Sequence, residues 1–144
     1  MLALHSTRLN PELAMLAGLV QGIGVLPVLA YAEQTPALRN TPELLDCLID
    51  TLHPKLGAQV LAAWQFPAAL CAVPEQCRDL ARQHPGPVDY ADVVTVARLH
   101  AQGGAETPAN ISAFDKLGLH PEVQVLELDG YADSYNDSMA LMAA

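Results

Sequence analysis

Basic residues are scarce in this chain. Seven Lys and Arg stand against 16 Asp and Glu, for a formal net charge of −9, and they form no cluster that could neutralise a run of phosphates. Direct nucleic-acid binding is therefore not expected. Aromatics are also few, at 5 % of the chain with two Phe and one Trp. A core must then come from Ala, Leu and Val, which favours helices packed through small and aliphatic side chains. Cysteine is limited to Cys47, Cys71 and Cys77, with no Cys-x-x-Cys pair. That odd count suits neither a disulfide framework nor a zinc ribbon and points to reduced thiols in a cytoplasm. No Ser sits in a Gly-x-Ser-x-Gly setting, so there is no nucleophile elbow. Gly22-Ile23-Gly24 lacks the preceding strand and third glycine of a dinucleotide-binding turn. It reads instead as a tight turn between helices. No internal repeat or low-complexity tract is evident.

What is present reads as one domain over residues 1–144, long enough to bury roughly 70 % of its unfolded surface. Leu13 to Ala32 carries no charge, and Ala30-Tyr31-Ala32 imitates a signal-peptidase site. Against a targeting or membrane segment, Arg8 is offset by Glu12, and Gly22, Gly24 and Pro27 would break a spanning helix. Core helices are expected there. Proline serves as helix punctuation at Pro11, Pro42, Pro54, Pro67 and Pro121, with Asn10 and Thr41 as N-caps. These signals and the apolar spacing predict helices at roughly 11–21, 24–34, 42–52, 54–65, 67–83, 89–102, 112–118 and 121–143, with Pro74 kinking or splitting the fifth. The last is acidic, through Glu122, Glu127, Asp129, Asp133 and Asp137, and reads as a solvated face.

The stretch from Leu52 to Pro67, with His53-Pro54, Gly57 and Trp64-Gln65-Phe66-Pro67, resembles the signature of the HDOD family, a degenerate relative of the metal-dependent HD phosphohydrolases. Leu16 to Gly24 is similar to the family's Leu-x-Gly-Leu-Leu-His-Asp-Ile-Gly pattern, and Phe114 to Leu119 to its closing Leu-Gly-Leu element. The core of the resemblance spans 13–119. It implies an all-α orthogonal helical bundle of the HD/HDOD type, with the family's N-terminal helices absent. Under that expectation the charge-free pair from Leu13 to Ala32 exposes an apolar face, and the chain self-associates or belongs to a longer protein.

The resemblance also locates the positions where HD enzymes gather metal ligands. Gln21-Gly22 replaces the His-Asp dyad, His53 matches the next histidine, Gln76-Cys77 falls near a paired-histidine position, and Arg98 stands for the last aspartate. One imidazole cannot hold a catalytic ion, and Arg98 would repel one. The expectation is therefore no metal, no cofactor and no enzyme, but a cytoplasmic bacterial signal-transduction module acting on a protein partner. The alternatives are an HD-type phosphohydrolase or cyclic-dinucleotide phosphodiesterase, or an anion sensor using Gln21, His53 and Arg98. His53 itself reads as a buried histidine bonded locally at a helix start. Trp64 with Phe66 could contact a partner, but Trp64 reads first as a core anchor. Cys77 and His84 could face one way on a helix as soft-metal donors, although their spacing matches no established pattern and ordinary helix surface or core is the favoured reading.

Overall fold

Helix starts follow the prolines. The computed structural model describes residues 8–102 and 111–119. In it α1 (Pro11–Val20) opens with Pro11, and the Asn10 side chain accepts from the amides of Glu12 at 2.9 Å and Leu13 at 3.2 Å. This satisfies two first-turn donors that a helix cannot pair internally. α2 (Val25–Glu33) follows a short turn, and α3 (Pro36–Arg39) is a single turn, not expected from the sequence, that begins at Pro36. Thr41 precedes α4 (Pro42–Ala63) but makes no side-chain cap. Its carbonyl alone receives the Leu44 and Leu45 amides, so the capping role expected of its hydroxyl is corrected.

The two helices expected at 42–52 and 54–65 are one, running 22 residues through Pro54. Pro54 withdraws a single donor, from the carbonyl of Asp50, which lies at an exposed position where water can take its place. The helix ends in a reversal at Gln65, whose φ is +59°, with the Phe66 amide bonding back to Leu61 at 3.0 Å. That turn sends Phe66 against the buried cluster of Ala17, Leu70, Val73, Cys77, Ala91 and Val94. Trp64 is left 60 % exposed. The core-anchor role belongs to Phe66, not Trp64.

The helix expected at 67–83 is reduced to two turns, α5 (Ala68–Cys71) and α6 (Val73–Gln76). Pro74 divides it as expected. Beyond Gln76 the Asp79 carboxylate takes the Ala81 amide, a local bond that competes with helix continuation. Cys77 and His84 therefore share no helix face, which removes the soft-metal pair. α7 (Tyr90–Ala101) is closed at its start by a reciprocal capping box between Asp89 and Asp92. α8 (Ser112–Leu117) ends at Gly118, whose φ of +65° is the left-handed conformation that glycine adopts without a steric penalty.

α7 is the central element, burying Ala91, Val93, Val94, Val96 and Leu99. One cluster joins it to Ala14 of α1 and to Ala113, Phe114 and Leu117 of α8. The other joins it to Ala17 of α1 and to α5 and α6. α2 packs on α4 at close range: a Cβ on Gly24 would lie 1.9 Å from the His53 carbonyl oxygen. Gly22-Ile23-Gly24 forms the tight turn expected between α1 and α2; Gly24 has φ −67°, so its lack of a side chain serves this close approach and not its backbone angle.

Pro11–Glu33 is apolar and long enough to cross a membrane by length and composition, but it is broken between Val20 and Val25. Its small residues Ala14, Ala17 and Ala32, with Val28, face inward, while Met15, Leu19, Leu26, Leu29 and Tyr31 are exposed. The exposed apolar face expected for this pair is present; the pair is only partly a core. Among the described residues there is no strand, and the fold is all-α as expected. The acidic helix expected at 121–143 lies outside the described residues.

Candidate functional site

Two polar centres border α7. The first collects most of the residues singled out by the sequence. Gln21 comes from the turn after α1, His53 from the middle of α4, Cys77 from the end of α6 and Arg98 from the last turn of α7. The Cys77 thiol lies 3.9 Å from Gln21 Oε1. The Cys77 carbonyl accepts from Thr95 Oγ1 at 3.2 Å and from Arg98 Nη2 at 3.3 Å. Gly22 adds no side chain, and Gln76 adds no side-chain hydrogen bond.

His53 is fully buried, and neither ring nitrogen has a hydrogen-bond partner among the described residues. Its expected role at a helix start is corrected, because α4 runs through it and no backbone group there needs a cap. Burial is the main cause that lowers its pKa; Arg78 pushes the same way, Asp50 opposes, and Arg98 adds the smallest push downward. Burial likewise raises the Cys77 pKa, against Arg98 and Arg78, so the thiol stays neutral. A divalent cation does not fit this centre. Gln21 and neutral Cys77 are poor ligands as placed, Gly22 is none, and Arg98 supplies a like charge.

The second centre was not foreseen. Arg82 sits between Asp89 and Asp92. Its Nη1 donates to Asp89 Oδ1 at 3.3 Å and Asp92 Oδ1 at 3.0 Å, while Nη2 donates to Asp89 Oδ2. His84 Nε2 is 3.0 Å from Asp89 Oδ2, and Lys116 of α8 contacts His84 Nδ1 and lies 3.5 Å from Asp92 Oδ2. An ammonium has no acceptor. Lys116 therefore donates to Nδ1, which leaves the Nε2 hydrogen for Asp89. Asp92 is nearly buried, and it also closes the capping box on the Asp89 amide. Burial opposes charge on both Asp89 and Arg82, but their mutual hydrogen bond and the neighbouring charges win. The Asp89 pKa is held down and that of Arg82 up.

His84, Asp89 and Asp92 each offer a donor atom, all within 4.8 Å of one another. One imidazole nitrogen and carboxylate oxygens suit a divalent cation in kind and in spacing. Two internal cations, Arg82 and Lys116, now balance the two carboxylates, so a metal ion would enter by exchange with them. The sequence did carry a signal. Asp89-x-x-Asp92 ahead of an apolar run is a capping pattern, and His84 stands five residues before it.

A family model for the HDOD domain matches residues 1–80. Among solved structures, a candidate metal-dependent phosphohydrolase from Shewanella amazonensis SB2B is similar at 32 % identity and a TM-score of 0.73, over 92 % of this chain and 48 % of that one. The chain thus spans about half the length of that protein. No curated protein matches. The expectation that the chain is not an enzyme is overturned by this likeness together with the His84, Asp89 and Asp92 donor set. Losing ligands at Gln21, Gly22 and Arg98 does not empty the molecule of them.

Proposed function

We propose, from the premise that the chain belongs to the HDOD family, that it carries out metal-assisted phosphoester hydrolysis of the HD type. The observation that carries this reading is the convergence of His84, Asp89 and Asp92. His84, Asp89 and Asp92 would hold a divalent cation, which would supply Lewis acidity toward phosphoryl oxygens. The protein's own part is positional. Asp92 is fixed by α7, and Asp89 by the capping box. Arg82 and Lys116, which pair with these carboxylates, would be the cationic groups at hand to neutralise phosphoryl oxygens. The experiment is a manganese(II) titration followed by paramagnetic broadening of the His84 ring signals, with hydrolysis of a chromogenic phosphodiester in parallel. Binding of about one ion, lost in Asp92→Asn together with hydrolysis, is expected. Undisturbed His84 signals at millimolar manganese would end this reading.

A second reading is favoured by the exposed Met15, Leu19, Leu26, Leu29 and Tyr31 on α1 and α2. Such a face suits a signalling module of the bacterial cytoplasm that acts through a protein partner or a second copy of itself. Three free cysteines accord with a reducing compartment. Light scattering across a concentration series tests self-association, and Leu19→Glu with Leu26→Glu should abolish it. A monomer at every concentration that captures no partner through this face would remove the second reading.

A further inference from the structure

Among the described residues, buried polar atoms around His53 stand without hydrogen-bond partners. A buried ring nitrogen lacking a partner costs about 1–3 kcal/mol, and folded proteins retain few such groups. His53 has two unpartnered nitrogens at zero exposure, and the buried Nε of Arg98 is unpartnered as well. Arg98 makes one hydrogen bond, to the Cys77 carbonyl, and pairs with no carboxylate among the described residues. Burial, the largest cause, lowers its pKa, and Arg78 pushes the same way. The charges of Arg78 and Arg98 thus act on one another and on His53. The single carboxylate acting on His53 is that of Asp50, which is 77 % exposed and lies 3.7 Å from Arg78.

We propose that the turn after α1, the middle of α4, the end of α6 and the last turn of α7 form a binding site for a tetrahedral oxyanion of the phosphate class, with Arg98 and His53 as donors and Gln21 at its edge. The Cys77 carbonyl, held also by Thr95, fixes the Arg98 fork. The contact between the Cys77 thiol and Gln21 Oε1 leaves the Gln21 amide hydrogens as further donors. Donors from three separate elements match an acceptor with oxygens in several directions better than a planar carboxylate, whose two oxygens share one plane. The excess of positive charge that excludes a cation here is what an oxyanion neutralises. The site shares no residue with the His84, Asp89 and Asp92 set, so it stands whether or not that set takes a metal.

The test uses the whole chain with a chelator present, so that its result does not depend on the metal reading. Inorganic phosphate is the probe, and the ring signals of His53 are followed by nuclear magnetic resonance. A saturable shift is expected, weakened at least about tenfold, or about 1.4 kcal/mol, in Arg98→Gln. Arg98→Lys should recover part of the affinity by restoring charge without the fork. A nucleoside monophosphate binding more tightly than phosphate would identify the source as a phosphorylated small molecule, and equal binding would identify the free ion. Two results would overturn the proposal: His53 signals that do not move with phosphate, or a response to acetate as strong as that to phosphate. Both are read on the unaltered protein, so a poorly folded Arg98 variant does not remove the test.

Discussion

The two centres flanking α7 differ in how their charges are matched. Around His84, two carboxylates face Arg82 and Lys116, and every member touches an opposite charge or a hydrogen-bond partner. Around His53, two guanidinium groups and a neutral ring have one backbone carbonyl, held by Arg98, and one exposed carboxylate, Asp50, paired with Arg78. Both centres border the same helix, about 9 Å apart along it from Asp92 to Arg98 at 1.5 Å per residue. A matched centre holds the fold together and must be opened to bind anything. An unmatched one weakens the fold and gains from a ligand. A histidine or an aspartate in a polar cluster thus says little about function until the charges around it have been paired off.

Substitutions can break or sharpen that contrast. The largest effect is expected for Gly24→Ala, whose methyl would collide with the His53 backbone. Separating α2 from α4 there should cost about 3 kcal/mol, measurable by urea denaturation. A variant as stable as the parent would show that the two helices are not in register at His53. Next is Asp92→Asn, which removes the charge that Arg82 and Lys116 share and leaves one side-chain acceptor where two serve Arg82 and the Asp89 amide. A loss of about 2 kcal/mol is expected, and a cost below the error of the melt would mean that the network does not stabilise the fold.

Acid should act on His53 and on His100, which lies in the last turn of α7 against Phe114. The pKa values of His53 and His100 are lowered in the fold, so below about pH 6.5 the unfolded chain binds more protons than the folded one. Stability is complete above that pH and falls as pH drops, by at most about 1.4 kcal/mol per pH unit for each histidine. Denaturation midpoints between pH 7.5 and pH 5.5 measure the slope, and a flat profile would show that neither ring is desolvated. The smallest effect is expected for His53→Leu. It removes two unpartnered polar atoms from the interior and should raise stability by about 1 kcal/mol while reducing the acid slope. A loss of more than about 2 kcal/mol would reveal a hydrogen-bond partner for the ring, as a buried water would be.

Much of the frame was legible from local signals. Asn10-Pro11, Thr41-Pro42 and Pro74 mark boundaries because capping and proline chemistry act within a turn or two. The meeting of Gln21, His53, Cys77 and Arg98 was legible through the family pattern, although the pattern had no say in whether His53 would find a partner. Continuity of α4 through Pro54 was not legible. It depends on the exposure of Asp50 and on Gly24 packing against the helix, both tertiary facts. The second centre stayed hidden because Arg82 and His84 lie on an irregular stretch with no period to read, and Lys116 arrives from α8. Trp64 was misplaced for a similar reason. A left-handed residue at Gln65, where glycine is usual, decides which aromatic turns inward.

The position of Trp64 also determines what light can report. It is the sole tryptophan, mostly exposed, with its ring centroid 6.5 Å from that of Phe66. An indole this exposed is expected to emit much as one in water does, so unfolding should change its emission little, and melting is better followed by helical circular dichroism. The same indole becomes a sensitive probe of anything that settles over the corner between α4 and α5. A blue shift there would record an arrival at the surface and leave the interior unreported.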